Sequence, residues 1–173
     1  YLLGGQEVCL HNGRIFVTSA EFDSVLEFDP EIEQFLTGYL LRNRASVSSP
    51  EQRFDLEARV FDPLGNDGPG RAKTIGLNNV VSSQGRLFVS AYHVPYLFQL
   101  YNNAFQIHTK IPQRSRQAIP FHDGVLVHEA EEDRIRYLDG HDQIVYSWPL
   151  EGGRRACSGR FSSPQEADVQ HGV

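Results

Sequence analysis

Apolar side chains along this chain come in short runs, broken at close intervals by polar pairs and glycines, and the runs recur as a phrase. The clearest copy is Leu77-Asn78-Asn79-Val80-Val81-Ser82-Ser83-Gln84-Gly85-Arg86-Leu87-Phe88-Val89-Ser90, then Tyr96-Leu97-Phe98-Gln99-Leu100-Tyr101, then Ala104-Phe105-Gln106-Ile107-His108. Runs of this length and make-up, bounded by turn residues, read as strands. An earlier copy runs Glu7-Val8-Cys9-Leu10-His11-Asn12-Gly13-Arg14-Ile15-Phe16-Val17-Thr18-Ser19, then Ser24 to Asp29, then Gln34-Phe35-Leu36. A later one runs Ala118 to His128 through Gly124, then Arg134 to Asp139, then Gln143 to Trp148.

Each copy therefore reads as a strand, a turn closing on Gly13, Gly85 or Gly124, a second strand, a polar break, a third strand ending on Asp29, Asn102 or Asp139, and a fourth strand. Glycine supplies the φ > 0 that a tight hairpin needs, and Asp or Asn favours the next turn. Gly85 and Gly124 lie 39 residues apart, close to the ~40–45 of a four-stranded propeller blade. The predicted fold is thus an all-β propeller, with three blades at about 6–41, 78–113 and 117–150. No heptad or sustained 3.6-residue period appears, so helix is expected to be scarce.

Gly13 and Gly85 lie 72 residues apart, and the excess falls in 42–75. Ser46-Val47-Ser48-Ser49-Pro50 and Pro63 to Gly70 are loop chemistry there, around Phe54 to Phe61. An insertion carrying one or two strands is expected, with a degenerate fourth blade as the alternative. Glu166 to Val173 reads as the start of a further inner strand, so the chain is expected to be part of a larger ring. Position 1 is Tyr and Met is absent, which reads as a trimmed, processed or partial chain. The remaining blades are expected from the rest of a longer chain, a separate fragment or an oligomer mate, because an unclosed arc leaves sheet faces and edges bare.

Composition narrows the partners. At 40% apolar and 22% charged residues, the chain reads as a soluble domain able to bury a core; a cytoplasmic or already processed protein fits. No apolar run approaches the ~20 residues of a membrane span. A net charge of −6 repels nucleic acid and anionic lipid, so neither is expected as a partner. Cys9 and Cys157 have no metal spacing, and Cys9 within Val8-Cys9-Leu10 reads as a small buried thiol.

Inner strands of successive blades begin at one rim of a central channel, so the residues at their starts converge although distant in sequence. Those residues are Gln6-Glu7, Asn78-Asn79, Gln117 and Gln170-His171. Carboxylate, amide and imidazole groups around one axis suit hydrogen bonding of a small polar ligand or a cation; ordinary solvation of a wet channel mouth is the plainer reading. The scattered histidines His93, His122, His128 and His141 lack metal spacing. Glu129, Glu131, Glu132 and Asp133 form an acidic turn that reads as solvated.

Asn78-Asn79-Val80 followed by Gly85-Arg86-Leu87-Phe88-Val89, with Gly5-Gln6-Glu7-Val8 opening the first copy, resembles the six-bladed propellers of the gluconolactonase (SMP-30) and NHL-repeat groups. Phe22 to Asp29 together with Leu77-Asn78-Asn79-Val80 is also similar to an uncharacterised bacterial propeller family that has His-Leu-Asn at the equivalent blade start. The first resemblance implies a divalent cation, calcium or zinc, held by Glu7 (or Gln6) and Asn78 (or Asn79). Gln117 and His171 stand where that family has Asn and Asp. Two functions are carried forward. The first is a binding or scaffold protein recognising a small polar ligand or a protein partner at the channel mouth, through Gln6, Asn79 and Gln117. The alternative is a metal-dependent, lactonase-like hydrolase or isomerase. There the cation at Glu7 and Asn78 polarises a carbonyl oxygen and His171 accepts the proton.

Overall fold

The computed structural model describes residues 5–44, 54–129 and 131–150. Every element among them is a strand: β1 (Gly5–His11), β2 (Arg14–Ser19), β3 (Ser24–Asp29), β4 (Gln34–Asn43), β5 (Leu56–Phe61), β6 (Leu77–Ser83), β7 (Arg86–Ala91), β8 (Val94–Tyr101), β9 (Ala104–Lys110), β10 (Ser115–Phe121), β11 (Gly124–Glu129), β12 (Arg134–Leu138) and β13 (Ile144–Pro149). They form three antiparallel meanders in chain order, β1 to β5, β6 to β9 and β10 to β13. The first strand of the second sheet lies against the first strands of the other two. Three sheets stacked face to face about their first strands are propeller blades, and the all-β propeller is the fold of the chain. The expected start of a further blade at 166–173 lies outside the described residues.

Side-chain alternation gives each sheet two faces. On the first sheet Cys9, Phe16, Val25, Tyr39 and Leu41 point forward, and they pack with Val80, Val89 and Phe98 on the back of the second sheet. On the second sheet Val81, Phe88, Leu97 and Ile111 point forward and meet Ala118, Val125, Val127 and Leu138 on the back of the third. Each large apolar side chain closed into such a seam contributes about 1.5–3 kcal/mol. The seams, rather than any one sheet, hold the arc together.

Two of the hairpins turn as their glycines require, with positive φ at Asn12 (49°) and Gly13 (76°) and at Gln84 (50°) and Gly85 (68°). The third corrects the sequence reading. His122-Asp123 makes that turn, with His122 at φ 53°, and Gly124 opens β11 instead of closing the turn. Glycine is needed there for space: a Cβ would run into the Leu138 carbonyl oxygen and come within 2.9 Å of the Tyr137 ring.

The insertion contributes one strand. β5 pairs with β4 over Gly38 to Asn43 and becomes the outermost strand of the first sheet. It founds no further blade among the described residues. Its last residue, Phe61, lays its ring across Gly38, where any Cβ would collide with it, and closes over Leu26 and Leu40.

One polar contact fixes where the chain returns from the insertion. Asp23, fully buried in the turn between β2 and β3, accepts hydrogen bonds from the backbone N–H of Thr74, from the Thr74 hydroxyl (2.7 Å), and from the N–H groups of Ile75 (3.0 Å) and Gly76 (2.8 Å). Three consecutive amides gathered on one carboxylate satisfy its lone pairs where water cannot. The segment they belong to leads directly into β6.

Candidate functional site

The first strands β1, β6 and β10 begin at one end of the arc, and each is bulged in its opening residues, between Gly5 and Val8, Leu77 and Asn79, and Ser115 and Gln117. Bulges re-aim side chains at strand ends. On the first sheet the bulge is pinned by Thr18, whose hydroxyl accepts from Glu7 N–H at 3.0 Å and donates to Glu7 C=O at 3.4 Å. The Glu7 carboxylate is then met by the Gln117 amide, which donates to it at 2.9 Å from the third sheet, 110 residues away. First and third sheets thus touch across the mouth.

The two asparagines divide. Asn79 is paired opposite Ser90 just as Gln117 is paired opposite His128, so Asn79 holds the position equivalent to Gln117. Its side chain is enclosed, and its amide donates to Ser90 Oγ at 3.2 Å and to the Ala118 carbonyl at 2.9 Å. Those donors tie the second sheet to the third. Asn78 donates to the Ser115 carbonyl at 2.9 Å, and its Oδ1 is buried without a partner. The side chain of Gln6, and His171, lie outside the described residues.

Two groups passed over in the sequence complete this rim. His128, the strand partner of Gln117, is 5% exposed and its Nε2 has no hydrogen-bond partner. Glu129, the strand partner of Ser115, is 6% exposed; one carboxylate oxygen pairs with Arg136 at 3.0 Å and the other is unpartnered. Burial pushes the Glu129 carboxyl above its ordinary value, against the pull of Arg136. Burial likewise holds the His128 imidazole below its ordinary value, with the Arg116 charge adding to the effect. Among the described residues five buried side-chain polar atoms lack partners, and three of them, Asn78 Oδ1, His128 Nε2 and Glu129 Oε2, belong to residues bonded to or paired with the start of β10, His128 and Glu129 on opposite faces of the third sheet.

Among the described residues the donor set is poor in ligands for a divalent cation. Glu7 is the one carboxylate in the Glu7, Asn78 and Gln117 group, and an amide N–H faces it where a cation needs oxygen ligands. No group of three or more His, Cys, Asp or Glu able to hold a metal ion occurs among the described residues. The acidic turn is neutralised by arginines: Glu131 pairs with Arg114, Glu132 with Arg134 and Arg136, and Glu129 with Arg136. Burial pushes the Cys9 thiol up to about 12, which leaves it a neutral packing group. Cys157 lies outside the described residues.

Acid sensitivity follows from the imidazoles. His11, bonded through Nδ1 to Ser82 Oγ at 2.8 Å, His108 on the Phe88 ring and His128 are all held below the ordinary 6.5 by burial. The unfolded chain therefore binds more protons than the folded one once pH drops under about 6.5. Stability is expected to be full above that pH and to fall below it, read as the melting temperature between pH 8 and pH 5. A melting temperature that stays flat down to pH 5 contradicts this.

No protein-family model and no curated protein sequence matches the chain. Among solved structures it is similar to virginiamycin B lyase from Staphylococcus aureus (TM-score 0.48, 8% identity, covering 86% of this chain and 42% of that one). It is similar to a streptogramin B lyase (TM-score 0.49, 13% identity, 86% and 41%). A catalytically inactive form of the Staphylococcus aureus enzyme with quinupristin is also similar (TM-score 0.45, 11% identity, 86% and 56%). The chain spans about two fifths of the length of the first two. Likeness of this degree says nothing of activity.

Proposed function

We propose that the chain is a propeller binding protein that takes a small polar ligand at the mouth formed by the starts of β1, β6 and β10. The observation that carries this reading is that three residues next to the start of β10 keep a buried, unpartnered polar atom, Asn78 Oδ1, His128 Nε2 and Glu129 Oε2, where the Glu7 and Gln117 pair also stands. A buried polar atom left unpaired costs about 1–3 kcal/mol, and a ligand group that pairs with one of them recovers that cost. Two of the three are oxygen acceptors, as is Glu7, while His128 Nε2 donates or accepts by tautomer. The matching ligand is rich in O–H or N–H donors and carries no net negative charge, as a neutral sugar or polyol does.

The test uses thermal shift and calorimetry with a panel of neutral sugars and polyols. A ligand at 100 times its Kd adds about 2.7 kcal/mol of stability, enough to raise the melting temperature by several degrees. His128→Phe removes the unpaired nitrogen, so it is expected to leave the free protein as stable or more stable while weakening the ligand at least tenfold. A destabilised His128→Phe variant, or no shift with any of the panel, counts against the proposal. Calcium and zinc belong in the same panel, and a metal-dependent shift lost in Glu7→Gln would favour the metal-assisted reading instead.

A further inference from the structure

We propose that the cleft between the second and third sheets, at the end of the strands opposite the mouth, binds a small zwitterion of the amino-acid class, its carboxylate on Arg86 and His108 and its ammonium on Asp123 and Asp139.

The cleft holds about 280 Å3 between the forward face of the second sheet and the back of the third, near the small end of the ~300–1,000 Å3 of ligand clefts. The turns that follow β6 and β10 rim it, whereas the mouth lies at the starts of those strands. It lies wholly among the described residues. Phe88 and Val125 give it an apolar floor, and the Thr109 hydroxyl donates to Asp142, which ties its two walls together.

A comparison between sheets singles out Arg86. It follows Gly85 as Arg14 follows Gly13, and the two hold the same register, just before Leu87 opposite Leu100 and Ile15 opposite Phe28. In the first sheet Arg14 is neutralised by Asp29, which is 4% exposed. The second sheet has Tyr101 at the place of Asp29, and Arg86 forms no ion pair or side-chain hydrogen bond among the described residues. Its guanidinium is left to a carboxylate from outside, which it matches in two parallel hydrogen bonds.

A bulge brings an imidazole beside it. Thr109 is paired with Leu97 and Ile107 with Phe98, so His108 is the extra residue between them, and His108 and Thr109 both line the cleft. Bulges re-aim side chains in this way next to ligand sites. The His108 ring rests against Phe88 at 5.0 Å. Burial, with the Arg86 charge adding to it, holds the imidazole below its ordinary value, so at neutral pH it offers an uncharged N–H.

The facing wall is acidic. Asp123 and Asp139 stand in neighbouring turns of the third sheet, close enough for each to act on the charge of the other. Each is fixed through Oδ1, Asp123 by the Tyr137 hydroxyl at 2.6 Å and Asp139 by the N–H groups of His141 and Gln143, both at 2.9 Å. Neither forms an ion pair among the described residues. A plain anion would face the two carboxylates and a plain cation the guanidinium. A molecule carrying both charges satisfies both walls.

Calorimetry of the 173-residue chain with free L-amino acids as probes is expected to find at least one that binds with a Kd below about 1 mM. Its N-acetyl and carboxamide derivatives, which lack one charge each, are expected to bind at least tenfold more weakly. Arg86→Gln and Asp123→Asn alter exposed side chains, so each is expected to keep the melting temperature while weakening the amino acid at least tenfold. Arg14→Gln is the contrast: it breaks the internal pair with Asp29, and is expected to lower the melting temperature and leave binding unchanged. Absence of binding by every amino acid, inorganic phosphate bound as tightly as any of them, or binding indifferent to Arg86→Gln overturns the proposal. Sugar binding at the mouth is read with His128→Phe and does not involve Arg86, so the two proposals fail independently.

Discussion

Asp23→Ala is expected to destabilise the chain by about 4 kcal/mol, the largest loss from any single polar substitution among the described residues. The carboxylate is fully buried and answers three consecutive backbone N–H groups and a hydroxyl, all from residues 74–76. Alanine leaves those donors without an acceptor in a place water does not reach, at about 1–3 kcal/mol for each group that stays unpaired. Partial relaxation offsets some of that sum. For a chain of this size the loss lowers the melting temperature by roughly 10 °C or more. Asp23→Asn keeps one acceptor oxygen and should fall between alanine and the native residue. Urea unfolding of the three proteins checks the order, and an alanine variant within 1 kcal/mol of the native chain would refute the latch.

The second large effect is expected at Gly124. Gly124→Ala drives a Cβ into the Leu138 carbonyl oxygen, a backbone atom fixed in the ladder between β11 and β12, and against the Tyr137 ring. Overpacking against backbone cannot be relieved by a rotamer change, and about 3 kcal/mol is the expected cost. Gly13→Ala is the informative contrast. A Cβ at Gly13 meets nothing within 4 Å, so its cost is the strain of φ 76° alone, about 1–2 kcal/mol. If the two alanine variants have equal urea midpoints, the close approach at Gly124 is not what the third hairpin depends on.

These two glycines show which parts of the architecture could be read from residues. Asn12-Gly13 and Gln84-Gly85 announce their hairpins because the chemistry of a tight turn is local to it. Gly124 looked the same in the sequence, and only its neighbours on β12, brought alongside by the fold, reveal a requirement for space. The meeting of Glu7 and Gln117 was foreseeable, since strand starts in stacked blades share one rim. Which of Asn78 and Asn79 belongs with them depends on a bulge, and a one-residue shift sends the side chain elsewhere. His128 was passed over because a lone histidine has no spacing to recommend it, although its strand partner Gln117 had been singled out. The partners of Asp23 lie 51–53 residues further on. The signal that could have found it was the repetition of Ala-Glu-x-Asp at 20–23 and 130–133.

The strand contributed by the insertion has a bearing on how the chain could be handled as a material. β5 is held to β4 by a six-residue ladder, its Phe61 ring is seated over Gly38, and the segment after it is gripped by Asp23. Three non-covalent ties thus join the two sides of the chain on either side of 45–53. Excising 45–53 leaves fragments 1–44 and 54–173, which carry β4 and β5, the two halves of that ladder. The place at which these ties allow the chain to be divided lies inside the first sheet, between β4 and β5, not between sheets.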